Sequence, residues 1–128
     1  MERVHVDYFE YKSQNVLIMT DAYSKKIWCH LLGKDTTTLT TCAVLFAWFC
    51  TETGSPTTLV SDNGPQFTSK LFAHKMKLWN IKHLVSPPYH PASNGAAERA
   101  VQLVKDRLKK MNVSSKSLDL YTSLAYIC

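Results

Sequence analysis

The first quarter of the chain holds three short β-favouring runs, the first of them alternating apolar and polar; after Asp35 the pattern changes to helices alternating with further short β-favouring runs. Arg3 to Phe9 puts Val4, Val6 and Tyr8 on one side of a strand and His5, Asp7 and Phe9 on the other. Val16 to Met19 and Ile27 to Leu32 are the next two runs, and the separators, Tyr11–Asn15 and Asp21–Lys26, are short and polar enough for hairpin turns. Three consecutive antiparallel strands are therefore expected. Asp35 and the threonines after it are good capping residues for a helix over Thr37–Thr53, which stops at Gly54 with Pro56 close behind. Thr57 to Ser61 reads as a buried strand, Gln66 to Trp79 as a helix, and Ile81 to Val85 as a last short strand. Ser86 to Pro91 is a proline-bearing loop, Ser93 caps a long helix to about Met111, and Leu118 to Cys128 begins another. This order specifies an α/β fold, a five-stranded mixed sheet flanked by helices. With 128 residues it is a single domain, and its abrupt ends suggest a segment excised from a longer protein.

Charge is unevenly spread. Residues 66–116 carry ten Lys and Arg against only Glu98 and Asp106, so a chain of net charge +5 holds a +8 segment and a −3 remainder. A basic block beside acidic residues suits a polyanion held near carboxylates. No apolar run approaches the roughly 18 residues that a membrane span requires, so no membrane partner is expected. The four cysteines form no CxxC pair and have no zinc-finger spacing with the histidines. Cys29, Cys42 and Cys50 read as small core residues in a reducing compartment, without structural zinc.

Three acids stand in informative contexts: Asp7 in VHVDYF, Asp62 in LVSDNGPQFTS and Glu98 in YHPASNGAAERAVQLVK, with thirty-five residues between the last two. A carboxylate inside an apolar strand, as Asp7 is, must be protonated, paired or bound to a cation. Asp62 ends a strand at the carboxyl edge of a sheet, where α/β proteins place ligands. Glu98 lies near the start of the long helix, and Asn94, Glu98, Gln102, Lys105 and Lys109 fall within an arc of about 80°. Ala97, Val101, Val104, Leu108 and Met111 form the adjoining apolar stripe that would face the sheet. Singly, each acid has an ordinary explanation: a satisfied core aspartate, a turn former before Asn-Gly, a solvated helix glutamate. Jointly they form a set able to hold two divalent metals for phosphoryl transfer on nucleic acid. Asp21 reads as a turn residue, Asp35 as a cap, and Glu10, Glu52, Asp106 and Asp119 as surface groups. His5 shares the Asp7 side of its strand and could support it, whereas His83 and His90 have no partner at metal-ligand spacing.

At these residues the chain resembles the integrase catalytic core of retroviruses and, more closely, of gypsy-like long-terminal-repeat retrotransposons. The carrying words are ERVHVDYFE, IMTDAYSKKIW, LVSDNGPQFTS and PYHPASNGAAERAVQLVK, spanning residues 2–105. The resemblance implies a ribonuclease-H-like fold and a catalytic, metal-binding triad of Asp7, Asp62 and Glu98 with two Mg²⁺ or Mn²⁺ ions, Asp7 bridging both. It implies 3′-end processing of element DNA followed by strand transfer into target DNA, with no covalent enzyme intermediate. Tyr89, Asn94, Gln102 and Lys105 would touch the DNA end, with Lys109 farther along the same helix face. It further implies a homodimer or higher multimer, formed through the helices matching Thr37–Thr53 and Leu118–Cys128, and a nuclear location. An isolated core would manage at most the reverse, disintegration-type reaction. Two competing readings remain: a domesticated host module that binds DNA or protein without strand transfer, and a nuclease of the same fold such as a ribonuclease H, against which NGPQFTS and HPASNG argue.

Overall fold

The computed structural model describes residues 2–34, 36–86 and 95–111. Strands β1 (Arg3–Tyr11), β2 (Gln14–Asp21) and β3 (Ile27–Gly33) form an antiparallel meander. The first hairpin turns on Lys12 and Ser13, at φ 46° and 68°. Two successive left-handed residues have the twist that a two-residue hairpin loop requires, although neither is the glycine or asparagine that adopts it most readily. At the second hairpin Asp21 behaves as the turn former expected, its carboxylate accepting the Tyr23 N–H (3.2 Å) and the Ser24 hydroxyl (2.8 Å).

Helix α1 (Thr38–Trp48) is capped by Thr37, whose side chain accepts the Thr40 N–H. Its last turn widens into a π-helical turn, Phe49–Thr53, that ends at Gly54 with φ 74°. Strand β4 (Thr58–Ser61) follows, then α2 (Pro65–Thr68), α3 (Lys70–Leu78), β5 (Lys82–Val85) and α4 (Gly95–Lys110). The continuous helix expected over Gln66–Trp79 is two helices. Ser69 takes an extended ψ of 158° and caps α3 through the Phe72 N–H (3.2 Å), so a local hydrogen bond overrides an unbroken helical pattern.

The sheet order is β3-β2-β1-β4-β5, with β4 parallel to both β1 and β5. The expected five-stranded mixed sheet flanked by helices is therefore present. On one face Val4, Val6, Leu17, Met19 and Leu59 pack with Leu45, Phe49, Phe67, Phe72 and Met76. On the other, Phe9, Tyr11, Val16 and Ile18 lie against Ala100, Val104 and Leu108 of α4. Strand alternation sends Val4 and Val6 one way and Phe9 the other, as the sequence dictates.

Two expectations fail at the margins. Met111 is 44% exposed, because α4 stops at Lys110 and its last stripe position overhangs the sheet. Cys50 is exposed in the π turn rather than packed in the core, whereas Cys42 is buried and Cys29 half-buried. The exposed position of Cys50 follows from the widened turn, which changes the helical phase after Trp48. Tyr89, Asn94, His90, Ser93, Asp35, Asp119 and the helix from Leu118 to Cys128 lie outside the described residues.

Candidate active site

Asp7 sits on the central strand, opposite Ile18 of β2. On its other side β1 runs parallel to β4, with Arg3 beside Thr58, Val4 beside Leu59 and His5 beside Val60. Two residues further along that register brings Asp7 level with Asp62, just beyond the end of β4. Adjacent residues of parallel strands point to one side of the sheet, and here it is the side that carries α4. Glu98 lies in the first turn of α4, on its exposed surface. The fold thus draws the three acids to one end of one sheet face from positions that are remote in sequence.

Their electrostatics follow from that placement. Asp7 is half-buried, and its carboxyl is pushed up to about 6. Burial is the largest cause; the Tyr8 N–H, which donates to Oδ1 at 2.8 Å, opposes it, while Asp62, by charge and by hydrogen bond, and the charge of Glu98 raise it further. The cluster therefore has more negative charge than its surroundings offset. Asp62 is exposed, and its Oδ1 accepts the Gly64 N–H at 2.9 Å. A Cβ on Gly64 would stand 3.0 Å from that Oδ1 and 2.9 Å from Oε1 of Gln66, so a larger residue there would have to displace these side-chain ends.

Three carboxylates are hard oxygen donors of the kind that hold Mg²⁺ or Mn²⁺. The Asp7 carboxyl is raised chiefly by burial, with the charges of Asp62 and Glu98 adding to it, and a divalent cation would offset that added repulsion. On donor chemistry the set fits such an ion. Among the described residues, no three Asp, Glu, His or Cys side chains, the triad included, are placed together so as to hold a metal ion.

The remaining candidates on α4 divide. Gln102 is exposed and donates to Asp106 at 2.9 Å. Lys105 is half-buried, its Nζ 5.7 Å from the centroid of the Phe9 ring, on the strand that bears Asp7. Lys109 is exposed one turn further on. Gly95 opens the helix. His5 is buried on the Asp7 side of β1.

One pair escaped the sequence reading. Ser61, next to Asp62, lies 2.7 Å through its Oγ from Nε2 of His83 on β5. His83 was set aside for want of a partner at metal-ligand spacing, but its partner is a serine brought near by parallel pairing, which leaves no spacing signature.

Residues 1–91 match the family model described as the integrase core domain. An uncharacterised protein of Caenorhabditis elegans is 36% identical over 111 residues, 86% of this chain and 9% of that protein. The Pol polyprotein of equine infectious anemia virus is 31% identical over 115 residues, 88% of this chain and 10% of the polyprotein. The chain thus spans about a tenth of the length of these relatives. In fold it resembles a chain of the simian T-cell lymphotropic virus intasome determined in complex with PP2A regulatory subunit B56 gamma. There the TM-score is 0.82 at 22% identity, over 96% of this chain and 46% of that one. It also resembles the catalytic core domain of BIV integrase, with TM-score 0.78 at 22% identity over 97% of this chain and 78% of that one. These neighbours have the ribonuclease-H-like architecture expected from the sequence. The chain belongs to the integrase core-domain family of retroviruses and long-terminal-repeat retrotransposons.

Proposed function

We propose that this chain is the catalytic core of an integrase that processes the 3′ ends of element DNA and joins them to target DNA, with Asp7, Asp62 and Glu98 as its metal-binding catalytic residues. The observation that carries the proposal is the convergence of Asp7 and Asp62 across the β1–β4 pair, on the face where α4 presents Glu98. Bound Mg²⁺ or Mn²⁺, two ions per site, would supply the Lewis acidity that stabilises attacking and leaving oxygens in phosphoryl transfer. Asp7, Asp62 and Glu98 would together hold these ions through their carboxylate oxygens. The Tyr8 N–H orients the Asp7 carboxylate, and the Gly64 N–H orients that of Asp62.

Lys105, Lys109 and Gln102 follow Glu98 along α4 and would accompany the phosphate backbone of the DNA away from the acids. Tyr89 and Asn94 complete the proposed DNA contacts from the segment before α4. Membership of this family supports DNA as substrate and a multimeric working form; action in the nucleus is part of the same proposal. No observation favours the domesticated-module reading.

The test is a disintegration assay on a branched DNA substrate with Mn²⁺ or Mg²⁺, run beside Asp62→Asn and Glu98→Gln. Metal-dependent joining by the parent chain, lost in both variants, is the expected result. Joining that survives in either variant would overturn the assignment of the triad.

A further inference from the structure

The exit of β4 into Asp62 is held by side chains on the side of the sheet away from α4. Ser61 is wholly buried and donates its hydroxyl to the backbone carbonyl of Asp62 at 2.9 Å. A serine hydroxyl has one proton and two lone pairs. With that proton committed to Asp62, the 2.7 Å contact between Ser61 Oγ and His83 Nε2 requires the histidine to donate. The imidazole therefore carries its proton on Nε2. His83 comes from β5, which runs beside β4, and its ring stands edge-on to Phe72 with centroids 4.9 Å apart. The Ser61 carbonyl, in turn, accepts the Ser86 N–H at 2.8 Å. Both polar groups of Ser61 that face β5 are thus tied to it, and the carboxylate of the next residue is left to the site, aimed by the Gly64 N–H.

We propose that His83 is a positioning residue for Asp62, acting through Ser61: the chain from Nε2–H to Oγ–H to the Asp62 carbonyl fixes that peptide plane and with it the direction in which the carboxylate leaves the strand. Its consequence for metal binding and joining rests on the function proposed above; the hydrogen-bonded chain itself does not. A buried pair that merely satisfied its own hydrogen bonds would affect stability alone, and the two roles separate by measurement.

The experiment compares the 128-residue chain with Ser61→Ala, Ser61→Thr, His83→Phe and His83→Gln. It reads the His83 tautomer by long-range ¹H–¹⁵N correlation, the Gly64 amide shift as a reporter of the Asp62 carboxylate, Mn²⁺ affinity, and kcat and KM for joining. The parent chain should show the Nε2-protonated tautomer. Ser61→Ala and His83→Phe should move the Gly64 amide in the same direction and weaken Mn²⁺ binding about tenfold, within the range for groups that orient metal ligands. Both should lower kcat with KM for DNA unchanged, and the double variant should be no worse than the worse single one. Ser61→Thr keeps the hydroxyl and His83→Gln keeps an N–H donor, so both should recover most of the loss. An Nδ1-protonated His83 in the parent chain would overturn the proposal whatever the variants do. So would a fall in melting temperature with the Gly64 amide and Mn²⁺ affinity unmoved. If the parent chain neither bound Mn²⁺ nor joined DNA while the Gly64 amide still followed His83, the function would fail and the positioning chain would stand.

Discussion

The two faces of the sheet divide the work of the molecule. Beneath α1 and α3 the interior is continuous: Phe67, Phe72, Leu45 and Met76 close over Val4, Val6, Leu17 and Met19, and at its edge the buried Ser61 is paired with the half-buried His83. Beneath α4 a smaller apolar patch, Phe9, Tyr11, Val16 and Ile18 against Ala100, Val104 and Leu108, gives way at one end to Asp7, Asp62 and Glu98. One face is closed over by the larger apolar core. The other keeps an end open, where the Asp7 carboxyl is raised chiefly by burial and further by its acidic neighbours. The larger core and the proposed chemistry thus fall on opposite sides of the same five strands.

The widest separation between the faces should come from variants that strike one role alone. Asp62→Asn and Glu98→Gln remove exposed carboxylates, so we predict joining reduced about a thousandfold or more, the scale of losing several kcal/mol of metal-assisted stabilisation. Melting temperature in the absence of metal should hold or rise, because repulsion on Asp7 is relieved; a clear fall would show that these acids are structural.

On the opposite face, Phe72→Ala should cost about 3–5 kcal/mol in denaturant unfolding. Leu108→Ala, in the smaller cluster beneath α4, should cost less, about 2–3 kcal/mol. Equal losses would mean that the two interiors are equally rigid.

A third test uses pH. The Asp7 carboxyl is raised to about 6 in the fold, above the unfolded value of about 4. The folded state therefore binds the proton more tightly, and stability contributed by protonated Asp7 is full below about pH 4 and lost as pH rises through about 6. Metal-free protein should melt progressively lower across that window, Asp7→Asn should flatten the slope, and saturating Mg²⁺ should do the same at the upper end.

The smallest effect belongs to Lys105→Ala. Loss of its contact with the Phe9 ring should lower stability by about 0.5 kcal/mol. Weakened DNA binding with a shallower salt dependence, measured by titration, would also place this lysine on the phosphate path.

Much of this division is legible in the residues. Strict alternation in Arg3–Phe9 assigns Val6 and Asp7 to opposite faces, and the short polar turns compel antiparallel neighbours, so three strands are set by local chemistry. Asp62 and Glu98 could be singled out because their flanking words are specific. What the residues could not convey is pairing between distant segments. The parallel register that levels Asp7 with Asp62, and the one that brings His83 to Ser61, depend on how β4 slides between β1 and β5. Ser69 and the turn after Trp48 fail for another reason: one side-chain hydrogen bond and one extra backbone residue per turn alter helical phase without altering hydrophobic period.

The position of β1, between a partner eight residues long that follows at once and one that arrives some fifty residues later, also sets an order of events. The meander closes through local contacts, whereas β4 must wait for a long loop to close, which slows pairing of that kind. Repulsion between Asp7 and Asp62 begins only when β4 docks. If docking follows the rate-limiting step, the repulsion leaves folding speed untouched and hastens unfolding. A cation at this edge would then act as a latch on a finished molecule: stopped-flow traces should show Mg²⁺ slowing the unfolding limb while the refolding limb stays where it was.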